Sequence, residues 1–145
     1  MRTIVQNPAL SERLGVSPIE CLDYRLAASL VEAIGDECVR AALKTIELKG
    51  VRLAGDLAKL FMTLHTHCFN AHEDALTAFL DGDISLAERV RSARSKVEKT
   101  YADIEEIARA QPLDVVAQIL TNASFSRQIY EHGVDIADLA VPKRP

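Results

Sequence analysis

The chain has 145 residues, the size of one ordinary domain, and folding should bury roughly two-thirds of the surface that its unfolded form exposes. Only 6 Gly, 5 Pro and no Trp, among many Ala, Leu, Glu, Arg and Lys, is the usage of long helices rather than of sandwiches or barrels. A formal net charge of −4, with 17 basic residues dispersed among 21 acidic ones, argues against direct nucleic-acid binding, which needs a concentrated basic surface.

Cys21, Cys38 and Cys68 lie within helical patterns and lack CxxC spacing, so reduced thiols in a cytoplasmic protein are the simplest reading. The first residues carry no long apolar region, and no run of about 18 apolar residues could cross a bilayer, so a soluble, unexported chain is expected without membrane insertion.

Asn7-Pro8 opens and Gly15 closes a short helical segment, by the preference for an Asn cap, Pro at the first helical position and Gly past the end. Ser17-Pro18-Ile19-Glu20 is a stronger start, with a cap hydroxyl and a glutamate three residues on that can satisfy two backbone donors reciprocally. The helix it opens runs to about Lys49, with Leu22, Leu26, Leu30, Ile34, Cys38, Ala42 and Ile46 as its apolar stripe, and Gly50 stops it.

A second helix covers roughly Arg52 to Leu80, through Leu53, Leu57, Leu60 and Leu64, then shifts register to Cys68, Ala71, Ala75 and Ala78. Asp81-Gly82-Asp83 reads as a turn, and Ser85 with Glu88 as a second capping box. In the third helix Leu86, Val90, Ala93, Val97, Thr100, Ile104 and Ile107 repeat in alternating steps of four and three, the seam of an antiparallel bundle. Gln111-Pro112 breaks the pattern, and a fourth helix runs to about Val141 before Pro142.

Short turns cannot return the chain along helices of ~30 residues, roughly 45 Å, so neighbours must be mostly antiparallel. The expectation is all-α: a short N-terminal helix in residues 1–15, an antiparallel four-helix bundle in 16–141, and a tail at 142–145.

The first and fourth long helices superpose at an offset of 95 residues, which matches Ala28-Ser29, Ile34, Val39 and Ala42 with Ala123-Ser124, Ile129, Val134 and Ala137. Asp36 then corresponds to Glu131.

Within that repeat, Leu30-Val31-Glu32-Ala33-Ile34-Gly35-Asp36 resembles the Leu-x-Glu-Arg-Ile-Gly-Asp segment that marks the third helix of each PhoU repeat. Arg127-Gln128-Ile129-Tyr130-Glu131-His132-Gly133-Val134-Asp135-Ile136-Ala137-Asp138 resembles the second copy in archaeal-type members, and Leu14 to Leu26 is similar to the lead-in to the first. The resemblance implies a regulator of phosphate uptake that docks onto a transporter ATPase or a sensor protein, and no enzyme. PhoU proteins have six helices in two repeats, often behind an AbrB-like DNA-binding segment, whereas this chain holds one helix of the first repeat and three of the second. Either it is part of a longer protein or it compensates by self-association, with a homodimer as the expected form.

The family's Glu/Asp-x-x-x-Asp pairs bind metal, and the resemblance places Glu32 and Asp36 in that role for a divalent or iron-type cation. Residues four apart on a helix project side by side, so two carboxylates can share one ion. In the second copy Arg127 replaces the first acid, and Glu131, Asp135 and Asp138 at i, i+4 and i+7 stand in. Acidic pairs at this spacing are also the ordinary make-up of a solvated face, and both readings stand.

His65, Cys68 and His72 fall on one side of the second helix, either as soft-metal ligands or as a packed thiol with flanking imidazoles. Arg89, Arg91, Arg94, Lys96, Glu98 and Lys99 read as a solvated face. No nucleophile motif, phosphate loop or Glu-x-x-His pair points to catalysis. Besides phosphate regulation, a metal-sequestering bundle and a structural dimerisation module remain as alternatives.

Overall fold

The computed structural model describes residues 9, 12, 13, 15–51, 53 and 55–142. They form α1 (Pro18–Glu47), α2 (Gly55–Asp81), α3 (Ile84–Ser92), α4 (Arg94–Ala108) and α5 (Leu113–Asp138), and no strand occurs among the described residues. The short helix expected from Asn7 falls mostly outside the described residues, as does the end of the tail.

The ends follow local chemistry. Ser17 Oγ accepts from the Glu20 backbone N–H at 3.2 Å while the Ser17 N–H donates to the Glu20 carboxylate at 2.7 Å, so the first capping box is complete. Gly50 and Gly82 sit at φ of +92° and +70° in the two turns, a backbone region that a Cβ would penalise. The second box is not formed as expected. Asp83, not Ser85, caps α3 by accepting from the Leu86 N–H at 3.1 Å, because a carboxylate in that place also meets the positive end of the helix dipole.

α5 touches every other helix, α2 packs on α3 and α4 as well, and α1 packs closely on α5 alone. Order along the contacts gives direction. Arg91 meets Asp138, Arg94 meets Glu131 and Glu98 meets Arg127, so α3 and α4 run against α5. α1 also opposes α5, since Glu37 faces Gln128 while Ala41 and Thr45 face Asn122. α2 runs along α5, with Cys68 at Ser126 and Ala71 at Gly133. The helices are therefore unequal: α2, α3–α4 and α5 enclose the core, and α1 lies against the outside of α5.

This placement corrects the apolar stripe of the first helix. Leu22, Leu26 and Ile46 are 51, 49 and 65% exposed, Cys38 and Ala42 are exposed too, and only Ile34 is fully buried, with Leu30 half-buried. Steps of four on a helix of 3.6 residues per turn drift by about 40° each, so a long series turns away from a single neighbour. In α2 the mixed steps hold their face, and Leu57, Leu64, Cys68, Ala71, Ala75 and Ala78 are all buried.

The expected third helix is one rod pinched at Ala93 (φ −69°, ψ −14°). The cause lies across the core: the buried Tyr130 hydroxyl donates to the Val90 carbonyl at 2.7 Å, and the Ala93 N–H closes back on the same carbonyl at 3.2 Å. A side chain inserted into the ladder tightens the turn that it enters. Tyr130→Phe should destabilise the fold by about 0.5–1.5 kcal/mol, because the Val90 carbonyl loses the shorter of its two hydrogen bonds and keeps only the Ala93 N–H, measured by urea unfolding. A loss near zero would mean that the turn relaxes to a regular helix without cost.

Candidate functional site

Glu32 and Asp36 project from the exposed side of α1, one turn apart, and neither carboxylate forms a hydrogen bond or ion pair with any other described residue. The acids of α5 are differently placed. Glu131 is gripped by Arg94, whose two terminal nitrogens donate to its two oxygens at 2.6 and 2.8 Å, and Arg94 also lies over the Tyr130 ring. Asp138 accepts from Arg91 at 2.7 Å. Asp135 is exposed, with His132 Nδ1 3.9 Å away.

The five acids do not converge, and among the described residues no group of three or more His, Cys, Asp or Glu is arranged to hold a metal. Glu32 and Asp36 present two unengaged oxygen donors, which suits a hard cation that keeps most of its water. Glu131 would have to leave Arg94 to serve as a ligand.

Arg89, Arg91 and Arg94 are more than a solvated face. Arg89 grips Asp74 of α2 at 2.9 and 2.8 Å, while Arg91 and Arg94 reach α5, so one arginine row ties the α3–α4 rod to both neighbours. Their proton affinity is raised, first by hydrogen bonds to Asp74, Asp138 and Glu131. The signal in the sequence was the matching acids on the helices before and after, which only the helix directions bring into register.

His65, Cys68 and His72 do share a face, and with Cys38, Ala42 and Asn122 they line an apolar groove of about 350 Å³ between α1, α2 and α5. Cys68 is buried and its thiol donates to the Ser126 carbonyl at 3.1 Å. Burial, with Cys38 nearby adding, pushes that thiol up to about 12. Desolvation lowers both His65 and His72 below the usual imidazole value. The trio thus forms a packed thiol between imidazoles whose neutral form burial favours.

The PhoU domain model matches residues 61–140. The chain belongs to the PhoU domain family. The matched stretch begins within α2 and ends just past α5, so it covers most of the enclosed core, whereas α1 and the first acidic pair lie outside it. Comparison with curated proteins and with solved structures finds no match. The second PhoU-like segment, Arg127 to Asp138, lies within the matched residues.

The thiols give a direct check of the groove. At neutral pH iodoacetamide should modify the exposed Cys38 in the folded protein and leave Cys68 intact, because almost none of a thiol pushed up to about 12 is ionised. Peptide mass spectrometry reads this, and equal rates at the two positions would refute the packed-thiol assignment.

Proposed function

We propose that this chain regulates phosphate uptake or signalling in the cytoplasm by binding another protein, a phosphate-transporter ATPase or a sensor, and that it catalyses no reaction. Membership of the PhoU family, over a stretch that covers most of the enclosed core, carries this reading. The exposed side of α1 supports it, since Leu22, Leu26, Val39, Leu43 and Ile46 are each about half exposed or more, and such apolar surface on a soluble domain marks a contact face. In this reading the helices act as a PhoU-like antiparallel four-helix bundle that works as a homodimer.

Deleting the gene should alter the response of phosphate transport to starvation while the purified protein shows no turnover with phosphate esters or nucleotides. An unchanged starvation response would reject the proposal.

A second reading rests on Glu32 and Asp36, which are exposed and unengaged: they would hold a divalent or iron-type cation on α1, with Glu131 and Asp135 as a weaker pair on α5 limited by the Arg94 grip. A ligand specific to the native state must stabilise it. Adding metal should then raise the melting temperature of the wild type and leave a Glu32→Gln, Asp36→Asn variant unmoved. Equal shifts in both proteins would place any bound metal elsewhere.

A further inference from the structure

The groove between α1, α2 and α5 gathers most of the unsatisfied polar atoms of the fold. Four buried side-chain polar atoms lack a hydrogen-bond partner among the described residues, and three of them, His72 Nδ1, Asn122 Oδ1 and Ser126 Oγ, belong to residues that line it. Asn122 and Ser126 are only 4 and 0% exposed, so bulk solvent does not make up the missing bonds. A buried polar group without a partner is rare in a folded domain, and three around one cleft call for a common cause.

Asn122 cannot relieve its oxygen by turning its amide. The nitrogen already donates to the Ala41 carbonyl and to Thr45 Oγ1, and a turned amide would set Oδ1 against the Ala41 carbonyl oxygen. The free Oδ1 therefore takes only a donor. A hydroxyl on a helix often bonds back to the preceding turn, as Thr121 does to the Ala117 carbonyl, but Ser126 Oγ makes no such bond. Asn122 and Ser126 stand one turn apart on α5, near enough for one group to serve both.

The rest of the lining is apolar and holds no fixed charge. Ala41, Ala42, Phe69, Ile129 and the two thiols form most of the walls, and no Asp, Glu, Lys or Arg is among the lining residues. Desolvation favours the neutral form of His65 and His72 as well. A volume of about 350 Å³ lies in the lower range of small-molecule sites.

We propose that this groove binds a small, uncharged molecule whose apolar body carries a hydroxyl group. A hydroxyl is the smallest group that can donate to Asn122 Oδ1 while its oxygen pairs with Ser126 Oγ, and His72 Nδ1 offers a further bond from α2. α1 meets α2 through the Tyr24 and Phe79 rings, edge to face, yet it packs closely on α5 alone. It can therefore part slightly from α2 to admit a ring to the screened atoms, and an occupant would brace it there. The proposal goes beyond phosphate regulation and does not rest on it.

Binding of β-naphthol, with β-naphthoate as the charged counterpart on the same body, tests this. The chain has no Trp, so naphthol emission reports binding directly. Naphthol should bind saturably to wild type and raise its melting temperature, and naphthoate should bind roughly tenfold more weakly or worse, because its charge finds no cation in the groove. Ser126→Ala should weaken naphthol several-fold while the free protein melts at the same temperature or higher, since an unpaired hydroxyl is removed and no bond is lost. Ala42→Phe, at an exposed position on the wall, should fill the groove and weaken naphthol roughly tenfold or more, whereas Leu43→Phe, beside it but outside the groove, should not.

No saturable binding of naphthol by wild type would overturn the proposal. Binding unmoved by Ser126→Ala and Ala42→Phe would overturn it too, by placing the ligand elsewhere, and equal affinity for naphthoate would overturn the uncharged class. If Ala42→Phe fails to fold, Cys38 decides: bound naphthol should protect this groove thiol from iodoacetamide, and undiminished modification would refute the site. Phosphate regulation stands or falls separately, on the deletion phenotype.

Discussion

A helix packed on by all of its neighbours must be small or apolar around most of its circumference, and it must also fix each neighbour's position along its length. α5 meets the first demand with Ile119, Ala123, Ile136 and Ala137, all fully buried, and lets α2 approach through Gly133 and Ala71. It meets the second with three polar contacts one turn apart. The Asn122 amide donates to the Ala41 carbonyl at 3.1 Å and to Thr45 Oγ1 at 2.8 Å, which pins α1. The Ser126 carbonyl receives the Cys68 thiol of α2, and the Tyr130 hydroxyl reaches Val90 of α3. Apolar packing alone tolerates sliding, whereas a buried polar group that loses its partner costs about 1–3 kcal/mol, so these contacts set the register of three helices.

Much of this was legible from local chemistry. Ser17-Pro18-Ile19-Glu20, Gly50, Gly82 and Pro112 each carry a backbone consequence that holds wherever the helices go, and the helix ends fall close to them. What depends on neighbours was not legible. The stripe from Leu22 to Ile46 is continuous in sequence, yet only a helix surrounded on several sides could bury it, and α1 has one close neighbour. Nor could the pinch at Ala93 be read, because its cause, Tyr130, is far along the chain and on another helix. Asp83 and Ser85 are equally good caps on paper, and the choice between them rests on where the turn at Gly82 leaves the chain.

The candidate site divides along the same line. That Glu32 lies beside Asp36, and Glu131 beside Asp135, follows from helical spacing alone. Their different standing follows from partners: Arg94 on the α3–α4 rod reaches Glu131, and no described residue pairs with Glu32. The arginine row on that rod looked solvated because its complementary acids, Asp74 before it and Glu131 and Asp138 after it, acquire meaning only once α2 and α5 flank it. These ion pairs are partly exposed and individually weak, so their role is orientation more than stability.

The same reasoning separates the two acidic pairs. Glu131 corresponds to Asp36 at the 95-residue offset, and Arg94 holds it with two donors. A carboxylate gripped in this way fixes the position of the α3–α4 rod and must give up that grip before it can bind anything else. Glu32 and Asp36 have no such partner among the described residues, so the repulsion between two carboxylates one turn apart is offset only by solvent and the ions in it. The two related helices thus illustrate one constraint: an acid on a helix that others pack against serves to orient them, and an acid on the outer helix stays open to a ligand.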